Sequence, residues 1–479
     1  MLHFLFRAAL FPMAVLGLLA PCSGKSPPPA SDRVFDVRAF GATGDGVTPD
    51  TAALNRAVEA CSMAGGGKVL LPPGRYLSGT IHLRSHVHLY LDAGARLIGS
   101  PDLSLYHHPA RPDSLPTEAK WGNWYRGLIV GENLVDVTLG GPGTIDGNKV
   151  FDAEGEEKMR GPHTIVFTGC RDFTIRDLTV VDSANYAVFF QCSDDVDICG
   201  LKITGGWDAI HWRGVPERWC RDVTIRDCHF QTGDDCIAGS YWDRTVISGC
   251  TINSSCNGIR LIGPATGLII RDCLFHGPGR HPHRTSQRTN MLSGIILQPG
   301  AWGGTKGALD DVLISGVTMH RVASPVTVWT KPGNTLGRIT VSRLDATGVY
   351  RSAVSVENWT DQRQGTFVLR DVNVDFDGGG TAEQAKTPVS KPAVDARPLP
   401  SWGIYARNVE KIDFSDVRLS LKTDDFRPVI GMEDIGLLEI DGLRFPTVKD
   451  AHASFFTGVN EVRLENTNLS APAESPHEN

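Results

Sequence analysis

Acidic and amide side chains recur at one fixed spacing in the middle of the sequence. Four of them stand ten residues after the central apolar residue of successive repeated segments: Asn185, Asp208, Asp235 and Asn257. Asp234 adjoins Asp235 and adds a third carboxyl group. Carboxylates brought this close repel one another and raise a pKa, a cost that function commonly explains. The pattern predicts acid–base chemistry or a calcium site, whereas Asn and Asp at turns are also compatible with a purely structural ladder.

Basic side chains follow the same spacing. His211 and Arg260 stand three residues further along their segments, and Arg213 follows His211 by two residues. Because neighbouring strands lie about 4.8 Å apart, matching positions in three consecutive strands fall within roughly 10 Å. The sequence therefore predicts one cluster of three carboxyl groups, one imidazole and two guanidinium groups.

Aromatic residues flank the predicted cluster. Trp207 and Trp242 are candidates for stacking on the ring of a bound ligand, and packing inside the fold is the equal alternative. The same two interpretations hold for three further tryptophans, Trp212, Trp302 and Trp329. His281 and His283 lie in a polar insertion that we interpret as a solvated loop, with a wall of the cleft as the alternative.

The element that must position these residues is a repeat. Its central apolar residues, which we call anchors, are Leu139, Ile175, Ile198, Ile225, Ile247, Ile270, Ile314, Val341, Leu369, Phe414, Ile440 and Leu464. Successive anchors are 22 to 28 residues apart, except for steps of 36, 44 and 45. We interpret the step of 36 as one unit with an insertion, and the steps of 44 and 45 as two units each.

The repeat predicts an all-β solenoid. Leucine-rich repeats share the unit length but require an L-x-x-L-x-L pattern that is absent, and propeller blades need about 40 residues or more. Short β-branched strands in units of this length suit a parallel β-helix, in which each unit is one coil. Residues 50–63 carry helical apolar spacing and predict a short N-terminal capping helix with Asp50 as its N-cap.

The cysteines predict a buried ladder rather than a metal site. Nine of the eleven fall between Cys170 and Cys273, and the intervals from Cys228 to Cys250 to Cys273 match the repeat. No C-x-x-C pair or histidine in register accompanies them, so zinc is not expected. We expect buried thiols with one or two disulfides.

Chain length, net charge and the N-terminal segment limit the possible partners and the location of the protein. The chain has 479 residues and a formal net charge of −7, which gives no support to a nucleic-acid partner. Arg7 followed by the apolar run 8–20 predicts secretion to the outside or the periplasm, and no later run is long enough to span a membrane. Lipid anchoring at Cys22 is the alternative to simple secretion, and a monomer is expected. The predicted organisation is a signal at 1–24, a linker at 25–31, a β-helix domain at 32–470 and a tail at 471–479.

Several motifs resemble one known family. Residues 233–238, Gly-Asp-Asp-Cys-Ile-Ala, match the G-D-D-C-[IV]-A element of the polygalacturonases, glycoside hydrolase family 28, within the pectin-lyase-like superfamily. Asp208 falls where the N-T-D-G-[IV] aspartate of that family belongs. Residues 40–46 and 66–76 are similar to the opening motifs of the superfamily. The resemblance implies a right-handed parallel β-helix and glycosidase activity on a polysaccharide or oligosaccharide.

The resemblance also implies roles for the site residues. Asp234 is expected to be the general acid of an inverting hydrolysis, and Asp208 and Asp235 the bases that activate water. No metal or cofactor is expected. One carboxyl group must stay protonated, and its anionic neighbours would raise its pKa as required.

The departures from the family point to a different sugar. The family's G-H-G element aligns with Cys256-Asn257-Gly258, so its histidine is missing, and its R-I-K element aligns with a stretch around 294–298 that contains neither base. We therefore expect a pectin-like, uronate-containing or modified glycan rather than plain polygalacturonate. The residues expected to bind it are His211, Arg213, Asn257, Arg260, Trp207, Trp242 and Asn185. Two alternatives stay open, a calcium-dependent polysaccharide lyase and a carbohydrate-binding β-helix without activity.

Overall fold

The computed structural model describes residues 33–107, 111, 115–117, 119 and 125–470. The predicted signal, the linker, Cys22 and the tail at 471–479 lie outside these residues. Among the residues described, no helix combines the length and the apolar character needed to cross a bilayer.

The described chain winds into a parallel β-helix, as predicted, with three sheets running along its length. Sheet 1 holds most of the anchors and contains Val34–Asp36, Gly67–Leu71, Val87–Leu91, Val135–Gly140, Arg171–Arg176, Asp194–Cys199, Cys220–Arg226, Trp242–Ser248, Ala265–Arg271, Gly307–His320, Arg338–Val349, Gln364–Phe376, Ile404–Leu421, Ile430–Asp441 and Glu461–Glu465. Sheet 2 contains Asp45–Pro49, Gly74–Ser78, Ala95–Gly99, Thr144–Asp146, Thr179–Val181, Lys202–Thr204, His229–Thr232, Thr251–Ser254 and Leu274–His276, and it continues into the later parts of the long strands of sheet 1.

Sheet 3 carries the predicted site. It contains Ile81–His82, Gly127–Glu132, His163–Thr168, Val188–Gln191, Ile210–Arg213, Ile237–Ser240, Asn257–Leu261, Ser293–Leu297, Val326–Thr330, Val354–Asn358 and Ser454–Thr457, with the first residues of Ile404–Leu421 and Ile430–Asp441 between the last two. The short strand Asn334–Leu336 pairs with Gly307–His320.

The predicted anchors lie in register along sheet 1. Ile175 pairs with Ile198 and Ile225 with Ile247, and each later anchor pairs with the next as far as Leu464. The interpretation of the steps of 44 and 45 is wrong, because Ile270 pairs directly with Ile314, and Leu369 pairs directly with Phe414. Each of these steps is one coil that carries a long insertion, as the step of 36 does.

The corner after the sheet 1 strands explains why each repeat ends in a small or acidic residue. In six successive coils the residue at this corner has φ between 54° and 64° and alternates between aspartate and glycine: Asp177, Gly200, Asp227, Gly249, Asp272 and Gly316. This left-handed conformation favours glycine and tolerates aspartate. A Cβ atom on Gly249 would lie 2.6 Å from Oδ1 of Asp227 in the coil below. The alternation therefore follows from stacking as well as from backbone conformation.

Helix α1, Thr51–Met63, closes the N-terminal end of the coils as predicted. Its buried face packs against the first strands of the β-helix through Leu54, Ala57, Val58 and Cys61. Asp50 occupies the N-cap position, but its side chain does not cap the helix. Its carboxylate accepts hydrogen bonds from the backbone of Thr43 and Gly44 instead, and so holds the preceding loop. The second helix, α2, Ala382–Ala385, lies in the insertion after Phe376.

One continuous core fills the coils, and it absorbs the cysteines. All ten described cysteines are buried free thiols, so the expected disulfides are absent from the described residues. In the predicted ladder, each thiol of Cys228, Cys250 and Cys273 donates to the carbonyl oxygen two residues before it, at 3.2 to 3.4 Å.

Candidate active site

Three neighbouring strands of sheet 3 form the floor of the candidate site. Ile210–Arg213, Ile237–Ser240 and Asn257–Leu261 pair so that His211, Ala238 and Arg260 lie side by side. Side chains alternate along a strand, so these positions share the outward face. Asp208 and Asp235 stand two residues before the first residues of their strands, Ile210 and Ile237. The face opens into a cavity of about 550 Å³ that the three predicted catalytic aspartates, His211, Arg213 and Arg260 all line.

Asp208 is held by the imidazole of His211. Its Oδ2 atom lies 2.7 Å from Nδ1 of His211, and only 4% of the Asp208 residue surface is exposed. Nε2 of the same ring accepts a hydrogen bond from Nε of Arg213 at 2.8 Å. The ring of Tyr186 stacks on the imidazole at a centroid distance of 4.4 Å. These contacts fix the histidine that sequence analysis assigned to the substrate.

Asp235 is held from both sides. Its Oδ1 atom accepts hydrogen bonds from the backbone nitrogen of Asn257 at 3.0 Å and from the Asn257 side-chain amide at 2.9 Å. Its Oδ2 atom forms an ion pair with Nε of Arg260 at 2.9 Å. Both groups favour the ionised form of the carboxyl group. Asp235 is therefore set in one orientation.

Asp234 is the most exposed of the three aspartates. Its side chain keeps 15% of its surface accessible, against 4% for Asp208 and 7% for Asp235. Oδ2 lies 3.4 Å from Nη2 of Arg160, and Oδ1 lies 3.7 Å from Nε2 of His283. Because the backbone N–H of Ser286 donates to Nδ1 of His283, the neutral ring carries its proton on Nε2, facing Asp234. A histidine on a different loop thus faces Asp234, although residues 256–258 lack the histidine of the family motif.

Burial gives this cluster an unusual proton affinity. The pKa of Asp208 is raised well above its ordinary value by burial and by the charges of Asp234 and Asp235, against the opposing charges of Arg160 and Arg260. Burial also raises the pKa of Asp235, although Arg260 opposes the shift. The cluster therefore retains a proton at a pH where isolated aspartates are ionised, and a general acid needs such a proton.

Four of the predicted substrate-binding residues lie away from the cavity. Asn257 is fully buried and serves Asp235. Trp242 belongs to the core, where it stacks on Trp212 at a centroid distance of 4.0 Å. Trp207 is fully buried beneath Arg160, whose Cζ atom lies 3.6 Å from the centroid of the ring. Of the candidate tryptophans only Trp302, 58% exposed, lines the cavity.

Asn185 is displaced from the predicted column by one residue. Val188 pairs with Ile210, so Tyr186 precedes its strand as Asp208 does, and Asn185 falls one position earlier. The Asn185 side chain is buried, and its Oδ1 atom accepts from Nη1 of Arg160 at 3.4 Å. It supports a cavity residue and does not reach the cavity itself.

Sequence reasoning named only His283 and Trp302 among the residues that wall the cavity and missed the others. The wall residues come from the three coils whose anchor steps are longest: Glu156, Glu157 and Arg160 from the first, His283, Arg288, Trp302 and Thr305 from the second, and Val394 and Asp395 from the third. The insertion with His281 and His283 thus forms a wall of the cleft through His283 and Arg288, while Thr285, Ser286 and Gln287 are exposed to solvent. Steps of 36, 44 and 45 residues were the signal that could have located these walls.

One group of potential metal ligands lies in the described part of the site. The ligand atoms of Asp234, Asp235 and Cys256 lie within 4.8 Å of one another. The thiol of Cys256 also faces Nη2 of Arg288 at 2.8 Å and Nη2 of Arg260 at 3.3 Å. Calcium takes oxygen ligands, and two guanidinium groups oppose any cation here. The residues present do not fit calcium.

Comparison with known proteins matches two parts of the chain to family models. A family model described as "Glycosyl hydrolases family 28" matches residues 114–258, which include all three aspartates of the site, and one described as "Rhamnogalacturonase A/epimerase, pectate lyase-like" matches residues 34–99. A "Probable polygalacturonase" from Vitis vinifera is 31% identical over 296 residues, covering 58% of this chain and 59% of that protein. Residues 114–258 are thus similar to the family 28 glycosyl hydrolases. The chain spans about three-fifths of the length of the Vitis relative.

Solved structures share the fold of this chain. An exopolygalacturonase from Thermotoga maritima superimposes with a TM-score of 0.59 at 18% identity, covering 73% of this chain and 89% of that structure. A family 28 exopolygalacturonase from Yersinia enterocolitica gives a TM-score of 0.57 at 15% identity, covering 91% of this chain and 79% of that structure. At these identities the likeness confirms the β-helix architecture.

Proposed function

We propose that this protein is a secreted or periplasmic glycoside hydrolase. Its substrate is a pectin-like, uronate-containing or otherwise modified glycan other than plain polygalacturonate, and its mechanism is inverting. The observation that carries the proposal is the grouping of Asp208, Asp234 and Asp235 in one cavity, where burial keeps a proton on the cluster. The relatives named as polygalacturonases support the same reaction class.

The resemblance assigns protonation of the leaving oxygen to Asp234. Its greater exposure supports this role, because the general acid must reach the glycosidic oxygen. Asp208 and Asp235 would then activate the water that attacks the anomeric carbon from the opposite face. Potential ligand oxygens of Asp234 and Asp235 approach within 4.8 Å, less than the roughly 6.5–9.5 Å typical of inverting pairs. We therefore assign the water to Asp208, with Asp235 supporting the pair.

The charges around the aspartates favour a second assignment, in which Asp208 and Asp234 exchange the roles of acid and base. The raised pKa of Asp208 favours that residue as the holder of the proton, and Oδ2 of Asp234 lies 3.4 Å from the guanidinium of Arg160. In this arrangement Asp208 donates to the leaving oxygen and Asp234 activates water. A good leaving group needs no protonation, so a 4-nitrophenyl glycoside restores turnover to the variant that lacks the acid. Comparing Asp208→Asn with Asp234→Asn on such a substrate separates the two assignments.

A lyase is disfavoured by the state of its candidate bases. Arg260 forms ion pairs with Asp235 and Asp395, and the charges of its acidic neighbours keep its pKa above the ordinary value. Arg213 donates its Nε–H to His211. A guanidinium held protonated in this way is a poor acceptor for a substrate proton.

The proposal is tested by screening purified protein against plant and algal polysaccharides, with products analysed by mass. We expect cleavage of at least one glycan with uptake of water, inversion at the anomeric carbon by NMR, and loss of cleavage in Asp234→Asn with an unchanged circular dichroism spectrum. An unsaturated product would indicate a lyase, and binding without cleavage across the panel would indicate a binding protein. Strong activity on polygalacturonate would overturn the substrate assignment.

A further inference from the structure

The insertion in the coil between Leu369 and Phe414 places the carboxylate of Asp395 against Arg260, which lines the cavity. We propose that Asp395 is a specificity-determining residue, which occupies on Arg260 the place of a substrate carboxylate and so selects an uncharged or esterified sugar at that position. The inference rests on the proposed function, which it narrows to one subsite.

Arg260 is the residue through which Asp395 would act. Its Nη2 atom lies 2.9 Å from Oδ1 of Asp395, and its Nε atom lies 2.9 Å from Oδ2 of Asp235. The Arg260 and Asp235 side chains are 6% and 7% exposed, so their ion pair forms largely out of water, whereas the Asp395 side chain keeps 41% of its surface accessible. Two carboxylates beside one guanidinium leave a net negative charge around Arg260. A third carboxylate would therefore be repelled.

Asp395 is held in this position by the segment around it. We call residues 386–400 the strap. Arg397 of the strap binds both oxygens of Glu357 at 2.8 and 2.7 Å, and Glu357 is fully buried in sheet 3. Nζ of Lys331 donates to the carbonyl oxygen of Ala393 at 3.2 Å. These contacts on both sides of Asp395 therefore hold the strap over the cavity.

The charges that line the cavity as a whole also favour an uncharged sugar over a carboxylate. Its described lining contains six carboxyl groups, Glu156, Glu157, Asp208, Asp234, Asp235 and Asp395, against four guanidinium groups, Arg160, Arg213, Arg260 and Arg288. An uncharged sugar avoids the repulsion from this excess. Next to Arg260, the ring of Trp302 lies 5.7 Å from the Cζ atom and offers an apolar surface for an ester methyl or a sugar face.

The test uses two probes that cannot be cleaved, D-galacturonate and its methyl ester, titrated into the full chain and followed by NMR. We expect the wild type to prefer the ester by about tenfold, and Asp395→Asn to gain about tenfold for the acid while its affinity for the ester changes by less than about threefold. Arg397→Gln, which releases the strap, should shift the ratio in the same direction.

The matched control is Asp361→Asn, which removes the same charge from an exposed position outside the cavity and should leave the ratio unchanged. An equal acid-to-ester ratio in wild type and Asp395→Asn, or no binding of either probe to either protein, would overturn the inference. Because neither probe has a glycosidic bond, this result is independent of the cleavage screen. A shift in the ratio without cleavage of any glycan would refute the hydrolase and leave the role of Asp395 standing.

Discussion

The Nε–H group of Arg213 donates to Nε2 of His211 at 2.8 Å. A guanidinium has no acceptor, so Nε2 must accept, and the neutral ring carries its proton on Nδ1. That proton points to Oδ2 of Asp208, 2.7 Å away. Arg213 therefore determines through His211 that this oxygen of Asp208 is an acceptor, which leaves Oδ1 as the oxygen that would exchange a proton in the proposed reaction.

Replacing Arg213 should release the histidine tautomer. In Arg213→Met we expect nitrogen NMR of the His211 ring to show a mixture of tautomers and turnover to fall by about 10- to 100-fold. Arg213→Lys keeps a donor and should retain the tautomer in part. Full activity in Arg213→Met with the tautomer unchanged would contradict this role.

Asp208 should weaken the fold at neutral pH. Its raised pKa means that, above the ordinary value of 3.8, the unfolded chain releases a proton that the folded protein keeps. The free energy of unfolding therefore falls as pH rises from that value toward the raised pKa. Asp208→Asn should be inactive and, at pH 7, more stable than wild type by on the order of 1 kcal/mol in urea unfolding, because each pKa unit corresponds to about 1.4 kcal/mol.

The control for this measurement is Asp222, whose pKa is lowered by its hydrogen bonds to Arg244. A lowered pKa stabilises the fold above the unfolded value and loses that effect as pH falls. Asp222→Asn should therefore be slightly less stable than wild type at neutral pH. If both variants lost stability at pH 7, the result would argue against a destabilising effect of the Asp208 carboxyl group on the fold.

Asn257 is expected to keep the pKa of Asp235 lower than it would be without its side-chain hydrogen bond. Asn257→Ala removes the side-chain donor to Oδ1 and keeps the backbone donor, so the pKa of Asp235 should rise further. We expect the acidic limb of the pH profile of kcat/KM to move to higher pH, with about 10- to 100-fold lower activity at its optimum. Asn253→Ala removes an equally buried amide that donates to the carbonyl oxygens of His276 and Pro278. It should reduce stability and leave that limb in place.

Two tryptophans should separate stability from binding. Trp242→Ala opens a cavity in the core and should cost about 3–5 kcal/mol of unfolding free energy. Trp302→Ala removes an exposed ring and should change stability by less than about 0.5 kcal/mol while raising KM. Thermal unfolding and initial rates on the same preparations provide both measurements. A stable Trp242→Ala protein with a raised KM would return that residue to the substrate.

The periodic part of the molecule could be predicted from the sequence, and the irregular part could not. Anchor spacing placed Asp208 and Asp235 on adjacent coils, since one side chain in each coil must fill the same core position. The same counting misplaced Asn185, because the coil after Ile175 is longer by one residue before its sheet 3 strand. It also could not decide which way Trp207 and Trp242 point, because indoles suit both a groove and a core. Arg160 and Asp395 lie in insertions without periodicity, where position depends on tertiary contacts alone.

Floor and walls of the cavity are subject to different constraints. The floor is set by strands stacked at a fixed separation, so a residue added there would shift every side chain beyond it to the other face. The walls are loops, whose closure entropy grows only slowly with length. A protein built in this way can exchange its recognition of a polymer by altering loops while its reaction chemistry stays constant, and chimaeras that trade the strap between relatives offer a direct route to new specificities.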